Sequence, residues 1–140
     1  MSIQKNNLLV SDVMISLERF PVIGERVIFK EALEEMGRKQ IGIACIVNSH
    51  KKLLGIITDG DIRRMLLRVQ KPFSAFFVDD AIDHSIRLPL IISPGDTLVQ
   101  ALHLMEIKHI WDLPVVDDLG VLVGLLHLHP AVQALIDLEG

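Results

Sequence analysis

Residues 31–57, EALEEMGRKQIGIACIVNSHKKLLGII, are read a second time at residues 100–126, QALHLMEIKHIWDLPVVDDLGVLVGLL, with a constant offset of 69 and no gap. Ala32/Ala101, Leu33/Leu102, Met36/Met105, Lys39/Lys108, Ile41/Ile110, Val47/Val116, Leu53/Leu122 and Gly55/Gly124 stay in register. A period of this length is a supersecondary unit and not one turn of a solenoid, and two copies predict a pair related by a pseudo-twofold axis.

The hydrophobic period changes in the same order within each copy. Phe29, Ala32, Leu33 and Met36 follow helical spacing, as do Leu98, Ala101, Leu102 and Met105. Residues 93–97, SPGDT, supply a turn and a capping side chain ahead of the second helix, whereas the first is entered through the weaker signal Gly24-Glu25-Arg26. Two β-rich runs follow each helix, 41–47 then 53–57 and 113–116 then 121–126, joined by polar turns at 48–52 and 117–120. Helical spacing returns at 61–68 and 131–138. With leading strands at 21–23 and 90–92, each half reads strand, helix, strand, strand, helix, an α+β design. The repeats are placed at 8–70 and 80–138. A linker at 71–79, KPFSAFFVD, carries Phe73, Phe76 and Phe77, which are expected to fill the seam between halves, the alternative being a partner-facing patch.

Composition narrows the classes. A chain of 140 residues suits two halves that share one core. Half of its residues are apolar and the mean hydropathy is +0.42, yet no apolar run approaches the ~18 residues that cross a bilayer. No secretory signal is read at Met1–Val10. The single cysteine, Cys45, lies in an apolar run and reads as a small buried hydrophobe in a reducing cytoplasm. A net charge of −4 with dispersed bases argues against nucleic acid and anionic membrane as partners.

The sharpest local motif is 55–64, GIITDGDIRR, which ends a buried strand and opens a helix. Amides at a helix N-terminus suit an anion. Asp61 can accept two hydrogen bonds from a vicinal diol, and the Thr58 hydroxyl can contact phosphate or sugar. The competing reading is that Thr58 or Asp59 caps the helix and Asp61 stabilises its first turn. In the second copy His127 replaces Thr58 and Pro130 replaces Asp61, so the diol acceptor is lost and the half-sites differ chemically. His127 and His129, with His84, His103 and His109 elsewhere, raise a metal site, but no Cys-x-x-Cys or His-Glu-x-x-His accompanies them, and phosphate contact from an imidazole is preferred. Trp111 stands where the first copy has Gly42, either stacked on a ligand base or placed in the core or seam. No Gly-x-Ser-x-Gly elbow, Walker loop or G-x-G-x-x-G is present, and nothing argues for catalysis.

The duplicated unit with G-h-h-T-x-x-D closing its first copy resembles a tandem CBS domain pair over nearly the whole chain. More narrowly, VSDVM at 10–14, LGIITDGDIRR at 54–64, LPVVD at 113–117 and LVGLLHLH at 122–129 are similar to the C-terminal CBS module of bacterial arabinose 5-phosphate isomerases, and TDGDIRR also to CBS pairs attached to sugar nucleotidyltransferases. The resemblance implies a regulatory, non-catalytic module whose halves form a cleft for an adenine nucleotide (AMP or ATP), usually as a homodimer. It implies that Thr58 and Asp61 hold ribose and phosphate, with Asp59 between them among the ligand-binding residues, and that the backbone of Gly42, Ile43 and Ala44 lines the base. His127 and His129 are then phosphate contacts. A CMP-sugar is an alternative ligand, the regulated enzyme would belong to sugar-phosphate or sugar-nucleotide metabolism, and a constitutive dimerisation scaffold that binds nothing is the rival reading.

Overall fold

A computed structural model describes residues 7–139 of the chain. In chain order the elements are α1 (Val10–Val13), β1 (Val22–Gly24), α2 (Phe29–Lys39), β2 (Ile43–Val47), β3 (Leu53–Thr58), α3 (Asp59–Arg68), α4 (Phe73–Phe77), α5 (Leu98–Lys108), β4 (Asp112–Val116), β5 (Leu122–His127) and α6 (Leu128–Glu139), with short 3₁₀ turns at Leu17–Arg19 and Ala81–His84. They divide into two compact units, one formed by Glu18–Pro89 and the other by residues 7–17 together with 90–139.

In the first unit β1 pairs parallel with β2 and β2 antiparallel with β3, giving the order β1-β2-β3. All five residues of β2 are buried, and Ala44, Ile46 and Ile57 meet Phe29, Ala32 and Met36 from α2 and Met65 from α3. In the second unit β4 and β5 form the antiparallel pair, and the predicted leading strand is reduced to a single parallel bridge from Ile92 to Val115. Its core is Leu98, Ala101 and Met105 against Leu113, Val115 and Leu126. Each of these stands 69 residues after its counterpart. The duplication therefore preserves the packing itself, down to the β-bulge after Ile46 and after Val115 and the left-handed helix ends at Gln40 and His109.

Both hairpin turns are fixed by one side chain at the same offset. Asn48 Oδ1 accepts from the amides of His50 (2.9 Å) and Lys52 (3.0 Å), and Asp117 Oδ1 from those of Leu119 (2.9 Å) and Val121 (3.0 Å). These Asx turns explain why a polar residue starts each connection. The predicted cap of α5 is also present: Thr97 Oγ1 accepts from the Gln100 amide and Gln100 Oε1 from the Thr97 amide, both at 3.1 Å.

The repeat boundaries expected from the sequence differ from the compact units in one respect. Residues 8–15 complete the unit of the second repeat, and residues 79–86 complete that of the first. The segments match each other at an offset of 71. Leu8 O accepts from Leu98 N at 2.8 Å and Asp79 O from Phe29 N at 2.7 Å; Val10 N donates to Asp96 O at 2.9 Å and Ala81 N to Val27 O at 2.8 Å. Ile15 bridges Leu125 and Ile86 bridges Ile56, each by two backbone hydrogen bonds. These straps occupy amides that the starts of α2 and α5 would otherwise leave unpaired. Val10 and Ala81 are wholly buried in the respective cores.

The segment 71–79, expected as a linker, thus belongs to the first unit. Phe76 is buried in that unit's core with Phe77 packed against it, so these rings fill the interior of one unit, where burial of an aromatic ring is worth most. The side chain of Phe73, and residues 1–6 of the Met1–Val10 stretch, lie outside the described residues. His84 stands edge-on to Phe29 and Phe76, with ring centroids 5.1 and 5.6 Å away, and bonds Asp79 through Nε2 at 2.8 Å. Lys71 reaches the same carboxylate at 3.0 Å while lying over the Phe76 ring. The Lys71 hydrogen bond, and after it that of His84, hold the Asp79 carboxyl below its ordinary value against a weaker opposing effect of burial. Among the described residues no helix is long and apolar enough to cross a membrane.

Candidate ligand site

The motif 55–64 brings its polar groups together where β3 runs directly into α3. Thr58, the last residue of β3, is the N-cap: its Oγ1 accepts the Asp61 amide at 3.2 Å. The same hydroxyl donates to Asp61 Oδ2 at 2.7 Å, and Arg64 Nη2 donates to Asp61 Oδ1 at 2.6 Å. The Asp61 side chain is only 15% accessible, which fixes its carboxylate against the first turn of α3. A carboxylate offers about four lone-pair sites, so both oxygens retain acceptor capacity after these two bonds.

Hairpin register places the start of β2 next to this group. Ile43 is the partner of Thr58, Ala44 pairs Ile57, and the Asp59 amide donates to Gly42 O at 3.0 Å. A Cβ at Gly42 would stand 2.5 Å from Asp59 Oδ2. With glycine at 42 the exposed Asp59 carboxylate rests against that backbone, and a side chain there would make it rotate away. Thr58, Asp59, Asp61, Gly42 and Ile43 therefore converge on one edge, while the Ala44 side chain faces the core.

The equivalent edge of the second unit is built from other chemistry. Leu128 N donates to Trp111 O at 2.9 Å, repeating the Asp59 to Gly42 bond. Asp112 and His127 occupy the paired positions of Ile43 and Thr58, and His127 Nδ1 lies 2.6 Å from Asp112 Oδ1. Pro130 has no amide, so the first-turn donor that Thr58 satisfies in the first copy does not exist in the second. Here the imidazole is engaged by a carboxylate. His129 lies on α6, past the end of β5, so the two imidazoles do not share a strand face. Among the described residues no group of three His, Cys, Asp or Glu side chains is arranged to hold a metal ion. Trp111 is 69% accessible and is not a core residue, which removes the core alternative considered for it.

Two members of these edges were not singled out from sequence. Arg64 stands three residues after Asp61, the spacing at which helical side chains meet. Asp112 becomes visible only when the 43/58 pairing is transferred by 69 to 112/127.

Comparison with known proteins agrees with this architecture. The profile of the CBS domain family matches residues 10–68 and 82–129. Arabinose 5-phosphate isomerase KdsD of Salmonella typhi is 33% identical over 127 residues, covering 91% of this chain and 37% of that protein. The chain spans little more than a third of the length of the curated relatives it matches. Among solved structures, CBSX2 in complex with AMP superposes with a TM-score of 0.83 at 24% identity, covering 96% of this chain and 100% of that one. The CBS domain pair of protein MJ0100, in complex with 5′-methylthioadenosine and S-adenosyl-L-methionine, gives 0.76 at 23% identity over 94% of this chain and 98% of that one. Identities this low speak to the fold alone.

Proposed function

This chain belongs to the CBS domain family as a tandem pair, and from that footing we propose that it is a regulatory module that binds an adenine nucleotide, AMP or ATP, with a CMP-sugar as the alternative ligand. The observation that carries the reading is the meeting of the Thr58 hydroxyl and the Asp61 carboxylate, 2.7 Å apart, beside the backbone of Gly42 and Ile43. The spare lone pairs of Asp61 suit the two hydroxyls of a ribose, and the backbone edge offers a flat, polar face to a base. Thr58 and the start of α3 suit a phosphate. Asp59 shapes the edge through its bond to Gly42. In the second copy, His127 and His129 offer imidazole donors to a phosphate, while no carboxylate stands at the position of Asp61.

Adenosine-type ligands in two structural neighbours favour adenine. Similarity to arabinose 5-phosphate isomerases favours an enzyme of sugar-phosphate or sugar-nucleotide metabolism as the regulated partner. The family resemblance further implies a homodimer, and the single, buried Cys45 suits the cytoplasm. Ligand would act by binding one arrangement of the protein better than another, since only differential affinity shifts an equilibrium.

Titration calorimetry with AMP, ATP and a CMP-sugar tests the assignment. Loss of two charge-assisted hydrogen bonds in Asp61→Ala should weaken the preferred nucleotide by about a hundredfold. Unchanged affinity in that variant would refute the ribose contact. A second reading, a constitutive scaffold, is favoured by the engagement of both Asp61 oxygens within the chain. It predicts that the wild type binds none of the three ligands.

A further inference from the structure

We propose that Arg64 makes the Thr58–Asp61 site select a phosphorylated nucleoside over the nucleoside itself; this rests on the nucleotide reading above. The Arg64 side chain, though exposed, folds back along its own helix. Its Nη2 is 2.6 Å from Asp61 Oδ1, and both Nη1 and Nη2 lie 3.3 Å from the point where a Cβ would stand on Gly60. The guanidinium is therefore folded back over the first turn of α3, next to the carboxylate that Thr58 also holds. Glycine at 60 leaves it room.

A guanidinium carries five N–H donors in a fixed plane, and the Asp61 bond uses one of them. The rest suit the oxygens of a phosphate, which bare carboxylates would repel. Acceptor and donor are thus paired for the two chemically opposite ends of a nucleoside monophosphate: the Asp61 carboxylate for the diol and the Arg64 cation for the phosphate. With 59% of its side chain accessible, the cation is open to a ligand while its direction is set by Asp61.

The second copy serves as an internal control. At the 69-residue offset Asp61 becomes Pro130 and Arg64 becomes Gln133, so the acceptor and the cation vanish together. Gln133 turns to its own helix, donating to Asp137 at 2.9 Å. Arg63 and Arg68 become Val132 and Asp137, which leaves α6 with no arginine or lysine. The cation accompanies the diol acceptor and is absent where that acceptor is absent.

The test is calorimetry of wild type, Arg64→Gln and Arg64→Lys with AMP and with adenosine, at two salt concentrations. Arg64→Gln is expected to lose about tenfold in AMP affinity, an exposed charge-assisted bond being weaker than a buried one, while adenosine stays within about twofold. Its AMP affinity should also respond less to salt than that of the wild type, and Arg64→Lys should fall between the two. Equal loss for AMP and adenosine would make Arg64 a mere support for Asp61 and overturn the proposal, as would an unchanged AMP affinity. Wild-type protein that binds neither compound would instead overturn the nucleotide reading, and this inference with it. An unaltered melting temperature in Arg64→Gln assigns the change to the site.

Discussion

Substitution of Gly55 by alanine probes the strap that completes the first unit. An ideal Cβ at Gly55 would stand 2.6 Å from Ser85 Oγ, 2.9 Å from Ile86 O and 3.1 Å from Ser85 Cβ. The Ile86 carbonyl cannot yield freely, because it accepts from Ile56 N at 3.0 Å while Ile86 N donates to Ile56 O at 2.8 Å. Ser85 is held in turn by its hydroxyl bond to Ile82 O at 2.7 Å. Overpacking of this kind costs about 1–3 kcal/mol, and alanine returns about 0.5–1 kcal/mol through the unfolded chain, for a net loss of about 1.5 kcal/mol. For a chain of this size that corresponds to a melting temperature lower by about 5 °C. At the equivalent Gly124 the close neighbours are Met14 Sδ (2.6 Å) and Cγ (2.9 Å), with Ile15 O at 3.1 Å. A flexible thioether can rotate away, so Gly124→Ala should cost less. Gly37 lies in α2 with nothing within 4 Å of its Cβ position, and Gly37→Ala should stabilise by about 0.8 kcal/mol. Thermal unfolding followed by circular dichroism should therefore rank the proteins Gly37→Ala, wild type, Gly124→Ala, Gly55→Ala from most to least stable. A Gly55→Ala protein that melts at or above the wild type would refute the close docking of residues 79–86 on β3.

The Asp79 carboxyl is depressed below its ordinary 3.8 chiefly by Lys71 and then by His84, so its contribution is present above that pH and is lost as the pH falls through the depressed value. Asp79→Asn should lower the melting temperature at neutral pH and flatten the acid limb of a stability–pH curve; an acid limb as steep as that of the wild type would contradict this. Thr97→Ala removes one half of the capping box at α5 and should cost about 1 kcal/mol, read as a lower denaturation midpoint at unchanged slope.

The sequence and the structure agree where many residues report together. The helical spacing of Phe29, Ala32 and Met36 and of Leu98, Ala101 and Met105 predicts α2 and α5, and the same residues line the two cores. The turn chemistry at Asn48 and Asp117 predicts the hairpins, whose register then sets Ile43 beside Thr58. Thr58 and Asp61 were legible because a capping hydroxyl and a first-turn carboxylate sit at fixed spacing. The straps were not, because residues 8–15 and 79–86 share few identities, pair mostly through backbone amides and carbonyls, and match at an offset of 71 where the rest of the repeat keeps 69. The place of Phe76 differs from the expected seam for the same reason: once residues 79–86 return to the first unit, the helix before them must follow. The Asp112–His127 pair is separated by a hairpin, and only strand register brings the two together.

Crystallisation of the protein with AMP tests the nucleotide assignment most directly. Both ribose hydroxyls should lie within hydrogen-bonding distance, about 2.6–3.2 Å, of the Asp61 carboxylate. AMP bound away from this edge, with Asp61 still held by Thr58 and Arg64 alone, would contradict it.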